Sequence, residues 1–242
     1  KNSEDMNEKI KIWGLGIGPG DPDLITLKAL KILQAVDVVA YPAPTDGDSL
    51  VRSIAAPHMS GDQEEIVIST PMVVERHPAQ DVYDKAAVKI GAAVEAGKSI
   101  AILCEGDPFF YGSFMYLFAR LSENYLVQVV PGVTSLAACS AELALPLAAR
   151  NDVVSVIPGP LEEEALERQL MATNTAAIIK VGRHLGKIKR VLEKIGATSE
   201  AHYIERATMK NQQITPLSAL DGDSAPYFSM IIVRRSGEIL SQ

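Results

Sequence analysis

Cysteine is nearly missing from this chain: Cys104 and Cys139 are its two cysteines, and neither belongs to a Cys-x-x-Cys pair. The four histidines are scattered and show no His-x-x-x-His spacing. A disulfide framework and a metal site are therefore not expected, and both thiols, set in apolar context, read as buried. Aromatic residues make up 5% of the chain and the formal net charge is −7, which argues against the basic, ring-bearing surface of a general nucleic-acid binder. No apolar run approaches the ~20 residues that span a bilayer. The opening KNSEDMNEKI is charged rather than signal-like, so a cytoplasmic protein without membrane contact is the expectation. Low-complexity segments and short repeats are also absent.

What is present is alternation. With 47% hydrophobic residues in 242, the chain can bury one large core or two modest ones. Apolar, β-branched runs at Ile10 to Gly14, Val38 to Tyr41, Ile66 to Ser69, Ser99 to Cys104 and Leu126 to Val130 read as buried strands, with helix-length segments between them. Ala29, Ile32 and Val36 share one helical face, Asp81 to Ala96 forms a second helix stopped by Gly97, and Phe114, Leu117, Phe118 and Leu121 mark a third. After Ala149 the alternation restarts, with strands at Val153 to Ile157, Ala176 to Val181 and Ala201 to Glu205 and helices at Leu161 to Met171 and Leu185 to Ile195. QQITPLS and YFSMIIVRR lie close together around a Gly/Asp/Ser/Pro-rich loop and are expected to pair as a hairpin that finishes a mixed sheet. The predicted architecture is two α/β domains with largely parallel or mixed sheets, residues 9–135 and 136–242, after a disordered tail over 1–8.

Gly14 to Thr26, GLGIGPGDPDLIT, places four glycines at alternate positions before a proline-bracketed acidic turn. A dinucleotide fingerprint fails here, because counting from Gly14 puts Pro19 at the third glycine and counting from Gly16 puts Asp21 there. No Gly-Lys-Ser/Thr follows, so a triphosphate loop fails as well. Asp37 precedes its strand, at the wrong end for a ribose-binding acid. Two further Gly/Pro loops occupy the same topological position: EGDPFFYGS after the strand ending in Cys104, and PGVTS after the strand ending in Val130. Ligands of open parallel sheets bind beyond the carboxyl ends of the strands, so three such loops on one edge predict one ligand crevice.

Read together, GLGIGPGDPDLIT, EGDPFFYG, VPGVTS, IKVGRH and ERAT resemble the tetrapyrrole methyltransferase family over about residues 9 to 235. Tyr41-Pro42, EGDPFFYGSFMY, KVGRH and YIERATM are most similar to the branch of that family that methylates C20 of precorrin-2. The resemblance implies S-adenosylmethionine as methyl donor, S-adenosylhomocysteine as product, a cleft between two domains, a tetrapyrrole substrate and a homodimer. Residue by residue it implies that Pro19 helps floor the cleft, that Glu105, Gly106, Asp107 and Phe110 lie on the loop around the methionine part of the cofactor, that Thr134 and Ser135 contact the cofactor, and that Val181 and Ala207 close around adenine. In relatives that methylate uroporphyrinogen III the second strand ends in Tyr-Asp. Here Pro42 follows Tyr41, so that acid/base role does not transfer, and Tyr111 is the candidate left on the loop.

A carboxylate-rich substrate needs local cations on an acidic protein. Arg52, Arg76, Arg150, Arg183 and Arg206 all lie in or beside predicted loops and suit bidentate carboxylate pairing. Other readings stay open at this point: a sibling methyltransferase acting at another ring carbon or with a cobalt-bearing substrate, a relative acting on protein or RNA, a nicotinamide-dependent oxidoreductase, and a binding module that keeps only the cleft.

Overall fold

In the computed structural model the described residues are 11–70 and 76–235, with backbone alone for 76–79; the expected tail over 1–8 lies outside them. The chain divides after Thr134 into two compact units.

The first unit alternates β1 (Ile12–Gly16), α1 (Leu27–Ala35), β2 (Val38–Pro44), α2 (Leu50–Ala55), β3 (Glu64–Thr70), α3 (Arg76–Glu95), β4 (Ile100–Cys104), α4 (Phe114–Leu121) and β5 (Val127–Val130). Its sheet has the order β3-β2-β4-β1-β5 and every pairing is parallel. Parallel strands covered on both faces read as continuous apolar runs, and β4 is buried along its whole length. Side chains alternate between faces. Ile100, Ile102 and Cys104 join the α3 and α4 side with Tyr83, Ile90, Phe114 and Leu121. Ala101 and Leu103 join the opposite side with Ala29 and Leu33 of α1 and Val51 and Ile54 of α2. Thr26 caps α1 by accepting from the Ala29 N–H at 3.2 Å, and Ser49 caps α2 by accepting from the Arg52 N–H at 3.3 Å.

The second unit comprises α5 (Ser135–Glu142), β6 (Val154–Pro158), α6 (Glu163–Met171), β7 (Thr175–Ile179), α7 (Leu185–Lys194), β8 (Ala201–Glu205), β9 (Gln213–Pro216) and β10 (Ser229–Arg234). Its sheet runs β6-β7-β10-β8-β9, with β6 and β7 parallel and the remaining pairs antiparallel. The expected hairpin between QQITPLS and YFSMIIVRR does not form. β9 pairs with β8, and β10 inserts between β7 and β8. The reason is burial: Ser229 to Val233 is buried throughout and needs a central place, whereas β9 is mostly exposed and carries Pro216, which an edge tolerates. Leu185, Ile188, Val191 and Leu192 of α7 cover one face with Leu166 and Leu170 of α6. Ala138 and Cys139 of α5 sit on the other, against Ala177, Ile204 and Ile232.

Candidate functional site

In the first unit the loops after β1, β4 and β5 leave adjacent strands on the carboxyl edge of the sheet. Their backbones touch. Gly18 and Gly106 exchange two hydrogen bonds, N–H to O at 3.3 and 2.8 Å. A Cβ on Gly16 would lie 2.5 Å from the Gly132 nitrogen and 2.8 Å from the Gly106 oxygen, and one on Gly132 would lie 2.1 Å from that same oxygen. Only hydrogen fits at these junctions. Gly106 and Gly18 adopt positive φ of 60° and 89°, a conformation glycine reaches without steric cost.

Asp107 locks the junction. One carboxylate oxygen accepts from the Gly132 N–H at 3.0 Å and the other from the Phe109 N–H at 2.9 Å. Pro19 is buried directly after Gly18. Phe109 is exposed and sets its ring edge-on to Phe118 at 5.1 Å. Phe110 packs edge-on to Tyr111 at 5.2 Å, and Tyr111 is exposed with a φ of 55°. Glu105 is half-buried at the head of the loop. Burial pushes its carboxyl up, opposed by hydrogen bonds from its own N–H and that of Val51 on α2. A small cavity beside Glu105 is lined by Pro42, Tyr83, Cys104, Ser113 and Phe114. Burial also raises the Cys104 thiol, and pushes that of Cys139 up to about 12. Thr134 ends the third loop and Ser135 opens α5. Asp37 sits at the opposite, amino edge, accepting from the N–H and hydroxyl of Ser99 at 2.8 and 2.6 Å, bonds that lower its pKa.

In the second unit the strand ends carry strain. Lys180, Arg206 and Thr208 hold φ of 55°, 50° and 68°, each costing about 1–2 kcal/mol for a residue with a side chain. Such strain gathers at binding loops. It adjoins both positions that the resemblance gives to the adenine: Val181 follows Lys180 fully buried, and Ala207 lies between Arg206 and Thr208 at 7% exposure. The loop after β6 presses close, since a Cβ on Gly159 would lie 2.8 Å from the Lys180 oxygen.

The arginines separate into two groups. Arg52 spends its Nε and one terminal nitrogen on Glu65 at 3.2 and 2.9 Å, while the Tyr41 hydroxyl donates to the same carboxylate. These partners hold Glu65 below the usual carboxylate range. Arg206 pairs with Glu205. Arg150, with a φ of 48°, and Arg183 are exposed and make no ion pair among the described residues. Arg76 opens α3, and its side chain lies outside the described residues. His184 follows Arg183 directly, and burial, then the Lys187 and Arg183 cations, push its imidazole down.

Pro19, Gly106 and Asp107 are thus brought together with Gly16, Gly18 and Gly132, which the motif reading did not single out one by one. Arg52 stands apart at the β2–β3 side of the sheet. The Tyr203–Glu205 pair behind Arg206 was also missed; its signal is a tyrosine and a glutamate two residues apart on one strand face.

The model for Tetrapyrrole (Corrin/Porphyrin) Methylases matches residues 11–221. The chain is 40% identical over 231 residues to a precorrin-2 C(20)-methyltransferase of a Sinorhizobium species, covering 92% of this chain and 94% of that one. It is 38% identical over 236 residues to the cobalamin biosynthesis protein CobIJ of Mycobacterium bovis, covering 94% of this chain and 46% of the relative; the chain thus spans about half the length of that protein. A uroporphyrin-III C-methyl transferase from Thermus thermophilus, solved in complex with S-adenosyl homocysteine, superposes with a TM-score of 0.66 at 21% identity over 93% of this chain and 92% of that one. With the parallel first sheet, the mixed second sheet and the glycine-built loop junction already in view, the match settles the family: the chain belongs to the tetrapyrrole (corrin/porphyrin) methylases.

Proposed function

We propose that this protein transfers a methyl group from S-adenosylmethionine to C20 of precorrin-2, giving precorrin-3A in cobalamin biosynthesis. The observation that carries the reading is the junction of Gly16, Gly106 and Gly132, where no Cβ fits, in a chain similar along 94% of a precorrin-2 C(20)-methyltransferase. The residues present suit the methyl donor. Glycine lets a ligand approach the loop backbone with no Cβ in the way, and the small, buried Val181 and Ala207 suit a flat base. Pro19, Glu105, Gly106, Asp107, Phe110, Thr134, Ser135, Val181 and Ala207 are the residues assigned to it.

S-adenosylmethionine supplies an electrophilic methyl on a sulfonium, where positive charge disperses as the bond to sulfur breaks. The chain's part is to hold the ring carbon in line with that bond and to exclude water. Asp107 contributes by fixing the loop around Gly106 and Gly132. The electron-rich ring carbon forms the new C–CH₃ bond and then sheds one proton to a base or water. Besides Asp107, whose carboxylate is engaged by two N–H groups, the ionisable side chains on that loop are Glu105, which burial makes a better proton acceptor than an ordinary carboxylate, and Tyr111. Arg183 and Arg150, uncommitted among the described residues, are assigned to the substrate's carboxylates. On the family resemblance the enzyme works as a homodimer in the cytoplasm; light scattering checks the assembly and cell fractionation the location.

The test is anaerobic incubation with S-adenosylmethionine carrying a ¹³C methyl group and enzymatically made precorrin-2, with the labelled carbon located by NMR. Label on C20 is expected. Label on another ring carbon makes the protein a sibling methyltransferase, and transfer to the cobalt complex alone assigns cobalt-precorrin-2 as substrate. No transfer, together with binding of a reduced nicotinamide, would return the oxidoreductase reading.

A further inference from the structure

Glu205 ends β8 and is 8% exposed, and a carboxylate so placed must be satisfied by neighbours. One oxygen accepts from the Tyr203 hydroxyl at 2.5 Å. The other pairs with Arg206, the next residue along the chain. Tyr203 is itself 1% exposed, and burial and Glu205 both hold its hydroxyl in the neutral, donating form. Ser229, directly across the ladder from Glu205 on β10, donates its hydroxyl to the Pro226 oxygen at 2.7 Å. The chain then turns sharply. Arg206 has a φ of 50°, its N–H donates to the Phe228 oxygen at 2.7 Å, and its oxygen accepts from the Met209 N–H at 3.0 Å. Ala207 follows, and Thr208 holds a φ of 68°.

An adjacent glutamate and arginine on an extended strand point to opposite faces. They meet here because Arg206 has left the strand conformation, so the ion pair and the left-handed turn are two aspects of one geometry. We propose that Glu205 is a positioning residue: by drawing the Arg206 side chain back onto the strand end, it holds Arg206 left-handed and thereby sets the Ala207–Thr208 backbone as a cofactor-contacting edge. This rests on the proposed assignment of Ala207 to the methyl donor. It also gives Arg206 a role in shaping the loop instead of a direct contact with substrate carboxylates.

Glycine makes the idea testable, because it adopts positive φ without a side chain to restrain. Three variants are compared with the wild type: Glu205→Gln, Arg206→Gly and the double variant. S-adenosylmethionine affinity is measured by calorimetry, and amide hydrogen exchange of residues 205–212 is followed without ligand. Glu205→Gln should weaken binding about tenfold and speed exchange across the turn. Arg206→Gly leaves the Glu205 carboxylate without its cation but needs no restraint to reach positive φ, so it should lose no more than about threefold in affinity, and the double variant, which removes that charge as well, should recover most of the affinity lost in Glu205→Gln. A general loss of stability would not be rescued by removing a second side chain. The proposal is overturned if Glu205→Gln leaves affinity and exchange unchanged, if Arg206→Gly weakens binding as much as Glu205→Gln, or if the double variant shows no recovery. Should the wild type fail to bind S-adenosylmethionine, the methyl-donor reading falls and the positioning role in the cofactor site falls with it. Exchange rates that still follow the predicted order would then confine Glu205 to shaping the loop.

Discussion

Gly132→Ala tests the loop junction most directly. The new Cβ would lie 2.1 Å from the Gly106 oxygen and 2.8 Å from the Gly16 Cα, and both neighbours are backbone atoms that no rotamer change can move. Close-packed interiors do not absorb such overlap, so the loops must part by roughly 1.3 Å to take that contact from 2.1 Å to the 3.4 Å where ordinary contact begins. Two sets of bonds resist. The Gly106 loop is tied to Gly18 by paired hydrogen bonds, and the Gly132 N–H is tied to Asp107 at 3.0 Å. Overpacking costs about 1–3 kcal/mol, and stranding one of these polar groups adds about 1–3 kcal/mol. A displacement of about 1 Å in a positioning loop can also cost about 100-fold in rate.

Urea unfolding should therefore place Gly132→Ala several kcal/mol below wild type, and calorimetry should show a large loss of S-adenosylmethionine affinity. Gly61→Ala is the matched control. Its φ is +88° and a Cβ there meets nothing within 4 Å, so it should cost about 1–2 kcal/mol through backbone conformation alone and leave binding unchanged. Wild-type affinity and an unchanged urea midpoint for Gly132→Ala would refute the argument that the site is built on backbone contact. So would a larger binding loss in Gly61→Ala than in Gly132→Ala.

Asp107→Asn leaves one acceptor oxygen where two N–H groups converge, turning an NH₂ toward Gly132 or Phe109; losing a charge-assisted bond should lower stability by about 1.5–3 kcal/mol, and an unmoved urea midpoint would show that Asp107 is not the clamp. Glu105 is held above its ordinary 4.5 by burial, so the folded chain keeps this proton to higher pH than the unfolded one. Its contribution to stability is greatest in acid and declines as pH rises above about 4.5. Glu105→Gln should remove that decline, so its urea midpoint relative to wild type should climb from pH 4.5 toward neutrality, and a constant difference would contradict the assignment. Arg183→Ala should raise the KM of the tetrapyrrole about tenfold, the cost of one charged pair, while moving that of S-adenosylmethionine much less; equal rises would remove Arg183 from the substrate site.

The elements most legible in the sequence are those whose pattern has one physical explanation. SIAILC can only be a strand covered on both faces, and β4 lies at the centre of its sheet. Leu185 to Ile195 reads as one apolar face, which α7 buries. Six-residue α2 is too short to show a period; its existence depends on Ser49 and on burial of Val51, Ile54 and Ala55. The β9–β10 pairing misleads because nearness in sequence favours a hairpin, while the apolar run of β10 gains more from the centre of the sheet. Within the site, Gly106 and Asp107 stand out as turn-forming residues. That Asp107 accepts from Gly132, 25 positions away, follows from β4 and β5 flanking β1, and no local spacing encodes it.

On the proposed function, an acidic chain has to serve a carboxylate-rich substrate. With a net charge of −7, the overall field repels an anion, so attraction has to come from a few placed cations. Motif proximity alone favours Arg183 and Arg206, which lie in KVGRH and ERAT, over Arg52. The structure distinguishes them by what each already binds: Arg52 is held by Glu65 and Arg206 by Glu205, and a paired guanidinium would have to surrender a carboxylate before accepting another. Arg183 carries no such obligation among the described residues, and its charge helps push the adjacent His184 imidazole down. Charge is therefore left available at Arg183, while backbone, glycine and two internal carboxylates, Asp107 and Glu205, shape the loops. Those two carboxylates are spent inside the protein, Asp107 on the N–H groups of Phe109 and Gly132 and Glu205 on Tyr203 and Arg206.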